Sequence, residues 1–179
     1  MARTTCRGPS ITSPPRTDTK GTRRVNSAVP EYGFTRAPDE VLAVRNQLAD
    51  RVIQALQQAG LPAFRDGAPS AADRSGAVVH VDPDAETVSA PVSVGWRCDP
   101  AMVEAAVDSL TAGNPTAPAV RYPGTIGLHM QGALIKILLS SGLIATPEND
   151  TTNPDHVLVF GTMSDLPPAL RPTFIPEGP

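Results

Sequence analysis

Three histidines, one cysteine at a strand end and one close group of carboxylates are the residues with which this chain could do chemistry. His80 and His156 fall in apolar runs that predict strands, and His129 falls near the start of an expected helix. With Cys98 they have the donor types of a metal site, but no CxxC, HxH or HExxH spacing accompanies them. No metal is expected, and the histidines are read as surface or hydrogen-bonded residues. Cys98 stands beside Arg97 and just ahead of a helix start at Asp99, a setting that favours a thiolate. The competing reading is a small residue at a strand end, in the field of a nearby carboxylate. Asp82, Asp84 and Glu86 have the chemistry for proton transfer or for holding a divalent cation. Pro83 among them marks a turn, which explains them as turn formers and solvated charge. No Gly-rich phosphate loop follows a strand, and no Ser-His-Asp order can be recognised. No catalytic residue and no cofactor is therefore assigned; a small enzyme with a site dispersed over His80, His129, Cys98 and Asp82 stays as an alternative.

The elements that must position these residues are bounded by composition. The chain has 179 residues, 20 prolines and only 4% aromatic residues, so a single domain with an aliphatic core is expected, with Trp96, Phe64 and Phe160 as its largest members. Residues 1–37 carry a net charge of +5, while the remainder carries -8. An acidic body repels phosphate backbones, so nucleic-acid contact is expected only weakly and only from the basic tail. Cys6 and Cys98 lie far apart in the pattern, which argues against a structural disulfide and for a cytoplasmic setting. The longest apolar stretch, Ala133 to Leu139, is interrupted by Lys136 and is far too short to cross a membrane, so a soluble protein is expected. Thirteen arginines against two lysines, with many Ala, Pro and Gly, suggest a high-GC, bacterial genome.

Three segments follow from the pattern. Residues 1–37 hold four prolines and no apolar period, which predicts a disordered basic tail. Their Arg, Ser and Thr content also resembles a transit peptide, and translation starting further along is an equal reading. Residues 38–163 are expected to form an α+β domain, and residues 164–179 a Pro-rich extended tail. Within the domain, Val41, Val44, Leu48, Val52, Ile53 and Leu56 recur at helical spacing from Asp39, with Arg45 and Asp50 among the polar positions, and Gly60 ends the helix. A flexible stretch is expected through Gly67 to Gly76. Ala77 to Asp82 and Thr87 to Trp96 predict two strands joined by Pro83 to Glu86, hence an antiparallel hairpin. Val88, Ala90, Val92, Val94 and Trp96 share the inward face, Ser93 and Gly95 the solvated one, and Pro91 places its strand at a sheet edge or bulge.

Asp99 followed by Pro100 starts a second helix, with Met102, Val103, Ala106, Val107 and Leu110 in one stripe. After a Pro-rich linker, Thr125 is expected to cap a third helix that is apolar over most of its circumference and should be the most buried. A polar loop then leads to an interior strand, His156 to Gly161. The expected order is thus α-β-β-α-α-β, a hairpin and one further strand against three helices. Ile53 to Leu61 and Ile135 to Leu143 also echo each other as helix, Gly, Leu, strand, which a Gly C-cap with its hydrophobic partner explains without duplication.

This order is similar to that of type II KH domains, and Gly124-Thr125-Ile126-Gly127 supplies a GxxG at the approach to the third helix. The resemblance implies a loop that clamps single-stranded nucleic acid, with Arg121, Tyr122, Gly124, Gly127 and His129 as ligand-binding candidates. Where such loops carry basic residues this one has Thr125 and Ile126. The first expectation is accordingly a non-catalytic binding or protein-interaction domain with an unknown protein partner, and KH-like binding of single strands is the alternative.

Overall fold

The computed structural model describes residues 35–68, 74–86, 89–149 and 153–170. The basic N-terminal segment, Cys6, Val88 and residues 171–179 lie outside the described residues. The remainder is an α+β fold of three helices and a five-stranded sheet.

Helix α1, Asp39–Gln58, ends in a Schellman cap: Gly60, at φ +83°, lets its own N–H reach the Gln57 carbonyl while the Leu61 N–H donates to Leu56. The chain enters β1, Ala63–Arg65, at once. Strand β2, Gly76–Val81, then runs parallel to β1 and antiparallel to β3, Val92–Arg97. Gly76 has no substitute at the start of β2. A Cβ there would lie 2.6 Å from the Pro62 carbonyl oxygen, next to the bond that Ala77 N–H donates to the same oxygen. Helix α2, Pro100–Thr111, is capped by the Asp99 carboxylate accepting from the Ala101 N–H. Helix α3, Pro118–Ser140, leads directly into β4, Leu143–Pro147, and β5, Val157–Thr162, closes the sheet with order β1-β2-β3-β5-β4.

The antiparallel pairing of β2 with β3 and the interior position of the last strand stand as expected, but β2 and β3 are joined across residues 82–91 rather than by the short turn Pro83 to Glu86, and β1 and β4 are additional. Both edge strands follow immediately after a Gly-Leu helix end, in the two segments that echo each other in sequence. The expected flexible stretch and polar loop therefore begin later than the pattern indicated. Strand β3 starts at Val92 and lies inside the sheet, with Pro91 just ahead of it, where its carbonyl accepts from the Asp82 N–H. A residue without an N–H is harmless there because only its carbonyl is used. Beyond β5, two 3-10 turns, Met163–Asp165 and Pro168–Leu170, replace the fully extended tail expected from residue 164.

Helices α1 and α3 cover one face of the sheet. Ala49, Val52 and Leu56 of α1 and Leu134 and Leu138 of α3 interlock there with Ala77, Val79, Val92, Val94, Val157 and Val159. Helix α1 buries more of its residues than α3, reversing the expected ranking, because the N-terminal half of α3 runs largely past the core. Arg45, expected among polar positions, is 7% exposed, whereas Val44 is 65% exposed. The reason is local: Arg45 Nη1 donates to the carbonyls of Asp82 and Asp84, 2.6 Å each, tying α1 to the hairpin turn. Helix α2 packs chiefly on α3 and buries no residue; Val103, Val107 and Leu110 of its stripe face outward. Phe160, expected in the core, is exposed at the β4–β5 irregularity, and Trp96 is only partly buried. Among the described residues no helix is long and apolar enough to cross a membrane.

Candidate functional site

Alternation along the strands puts the chemistry on the sheet face away from α1 and α3. With Ala77, Val79, Val92, Val94, Val157 and Val159 committed to the core, residues of opposite parity turn to the other face: Val78 and His80 of β2, Ser93, Gly95 and Arg97 of β3, and His156 just ahead of β5. Phe64 of β1 packs beside Val78 there. The guanidinium groups of Arg74 and Arg97 lie over the Phe64 ring at 5.7 and 5.6 Å.

At the centre of this face the imidazoles of His80 and His156 stack, with centroids 5.7 Å apart and planes 17° from parallel. The contact needs a glycine between them, since a Cβ on Gly95 would sit 2.8 Å from His156 Nε2. Asp66, directly after β1, brings Oδ2 to 3.3 Å from His80 Nδ1 and Oδ1 to 3.7 Å from Arg97 Nη2. Burial lowers the His80 pKa below the ordinary value; Asp66 works against this, and His156 and then Arg97 add to it. A neutral His80 that donates from Nδ1 to Asp66 keeps Nε2 as an acceptor, which suits it to receive a hydrogen bond or a proton.

His80 and Asp66 also wall a groove of about 570 Å³ at the outer edge of β2, whose other lining residues are Asn46 and Asp50 of α1, Arg65, Val79 and Val81. Arg65 is fixed across it, donating to the Asn46 carbonyl at 2.6 Å and to Asp50 Oδ1 at 2.9 Å. The groove is therefore bordered by polar side chains and lies beside His80, whose pKa burial lowers.

The sequence-predicted residues are only partly gathered. His129 is exposed on α3, separate from the histidine pair, and Asp82 turns its carboxylate to the Asp84 N–H, an Asx turn. Cys98 donates from Sγ to the Pro123 carbonyl at 3.6 Å, and burial together with Asp155 raises its pKa, which favours the thiol and agrees with the reading of a strand-end residue in the field of a nearby carboxylate rather than with a thiolate. Gly124 to Gly127 form part of α3, which begins seven residues before Thr125 and passes through Pro123. Thr125 is no N-cap; its hydroxyl donates to the Arg121 carbonyl one turn earlier. The loop that the KH resemblance implies is thus replaced by helix. Arg121, Tyr122 and Gly124 are exposed along that helix, while Gly127 faces inward, where a Cβ would meet Asp155 Oδ2 at 2.7 Å.

Asp66, Arg97 and the groove residues had no functional signal in sequence, because Asp66 follows a three-residue strand hidden in an apparent loop. The sequence put His80 on a predicted strand without assigning it a face; its register with Ser93 comes from the β2–β3 pairing. His156 joins them only through the β3–β5 pairing, which the sequence does not specify. Among the described residues no group of three or more His, Cys, Asp or Glu is arranged to hold a metal ion. Comparison with family models, with curated proteins and with solved structures finds no match to this chain.

Proposed function

We propose that this is a non-catalytic binding domain whose polar ligand occupies the groove beside Asp66 and His80. The observation that supports it is the Asp66–His80 pair at the groove wall, a polar constellation held by the sheet with one perturbed pKa. Arg65 and Asn46 supply further hydrogen-bonding groups in fixed positions. An amide-resolved NMR screen of a polar small-molecule library tests the reading. Shifts concentrated at Asp66, His80 and Asn46 are the expected result, and hits that shift other surfaces only would reject it.

A protein partner is the second reading, favoured by Val103, Val107 and Leu110, which α2 leaves 45%, 54% and 50% exposed. Charge substitution at Val107 with unchanged stability and lost complex formation would support it. KH-like binding of single strands makes a different claim, that RNA affinity depends on Gly124 and Gly127. A salt titration of RNA binding by wild type and by Gly124→Asp distinguishes it. The alternative of a small enzyme moves from the dispersed set to Asp66 and His80, where a proton acceptor is already oriented.

A further inference from the structure

We infer that the ligand of this groove is an extended peptide with polar or basic side chains, which adds to the outer edge of β2 at Val81; this rests on the groove being the binding site proposed above. Along β2, residues of one parity turn their main chain outward. Ala77 N–H donates to Pro62 and the Val79 carbonyl accepts from Asp66 N–H, both toward β1. Asp82 N–H, of the other parity, donates to Pro91 on the β3 side. Val81 shares the parity of Ala77 and Val79, so its N–H and C=O point outward.

What meets that edge stops on either side of Val81. Strand β1 ends in register at Arg65 opposite Val79, and among the described residues the next pairing is where Arg36 bridges Asp84, with Ala37 N–H donating to the Pro83 carbonyl. From Val79 to Pro83 a strand covers about 13 Å at ~3.3 Å per residue, room for about three residues of an added strand. The groove lies over this interval, with Val79, His80 and Val81 in its lining. Main-chain pairing at an interrupted sheet edge is a general way to hold an extended peptide. The side chains of such a peptide would alternate between Asp50 on the α1 side and Asp66 beside His80. Arg65 spends its donors on Asn46 and on one oxygen of Asp50, while the carboxylates of Asp50 and Asp66 line the groove, so its walls offer acceptors to an added peptide and select side chains that donate, polar or basic.

The test uses the full chain and a pool of acetylated, amidated hexapeptides built from Ser, Thr, Asn, Gln, Lys and Arg. The Val81 amide is expected to shift and to exchange with solvent more slowly when the pool is added, with His80 and Asp82 amides affected less. Val81→Pro removes the outward N–H while keeping the bonds to β3, and is expected to weaken binding about tenfold more than Val81→Ala. A Val81 amide that exchanges as slowly as Val79 before any peptide is added would mean that the edge is already filled, and would overturn the inference. So would shifts confined to the His80 and His156 rings, a result that keeps the groove neighbourhood as a binding site while excluding strand addition. The binding reading itself falls separately, if the small-molecule screen finds its hits elsewhere.

Discussion

The imidazole planes of His80 and His156 lie within 17° of parallel at 5.7 Å between centroids, so a proton placed on one is felt by the other. Asp66 and Arg97 complete the set of charged groups that govern His80. Because burial, with His156 and Arg97 adding to it, outweighs Asp66, folding makes His80 harder to protonate.

The sign of the resulting pH dependence follows. An unfolded chain takes up the His80 proton near the ordinary value of about 6.5, before the folded one does. The contribution of His80 to stability is complete above that value and is lost as pH falls through it toward the lower folded pKa. Urea midpoints of the wild type are expected to decline from pH 7.5 to pH 5. His80→Gln should flatten that part of the decline, and an unchanged slope would show that His80 is not its source.

Gly95→Ala separates the stack from the fold. Its Cβ would meet the far end of the His156 ring at 2.8 Å rather than backbone, so the ring moves and the strand need not. Stability is expected to change by about 1 kcal/mol or less. The His80 pKa should rise, because a group that lowers it has been displaced. Histidine ring resonances followed through a pH titration give the answer, and an unmoved His80 titration would contradict the assigned role of His156.

Much of the architecture was legible in sequence where the local pattern alone decides structure. The hairpin, the Asp99 cap and the Gly60 stop rest on alternation and on capping groups within a few residues of one another. The edge strands were not legible, since Ala63–Arg65 is too short to alternate and Leu143–Pro147 ends in a proline. Burial of helical stripes was also beyond local reading. Leu110 and Leu138 occupy apolar stripes of similar pattern, yet one is half exposed on α2 and the other is fully buried between α1 and the sheet. The same limit hid the site, because Asp66, His80 and His156 meet only through the pairing of strands distant in sequence.

That contrast gives a paired prediction. Leu138→Ala is expected to cost roughly 2 to 5 kcal/mol, as removal of a fully buried leucine opens a cavity its neighbours only partly refill. Leu110→Ala should cost about 0.5 kcal/mol or less. Chemical denaturation of the two variants beside the wild type measures both, and similar losses would mean that α2 is covered in solution.

Arg45 provides the sharpest test of how the hairpin is held. Its guanidinium is buried against the turn, and a single nitrogen donates to two carbonyls, those of Asp82 and Asp84. Arg45→Met keeps most of the aliphatic stem but leaves both acceptors without their charged donor, which is expected to cost roughly 2 to 4 kcal/mol. Arg45→Lys restores a charge on a side chain that cannot present the same planar fork, so its recovery should be partial. The damage should also be local: amide exchange is expected to accelerate at Asp84, Ala85 and Ala37, whose bonds order the turn, before it does at Val157 or Val159 in the interior strand. Uniform acceleration across the sheet would show instead that Arg45 supports the whole core and not the turn.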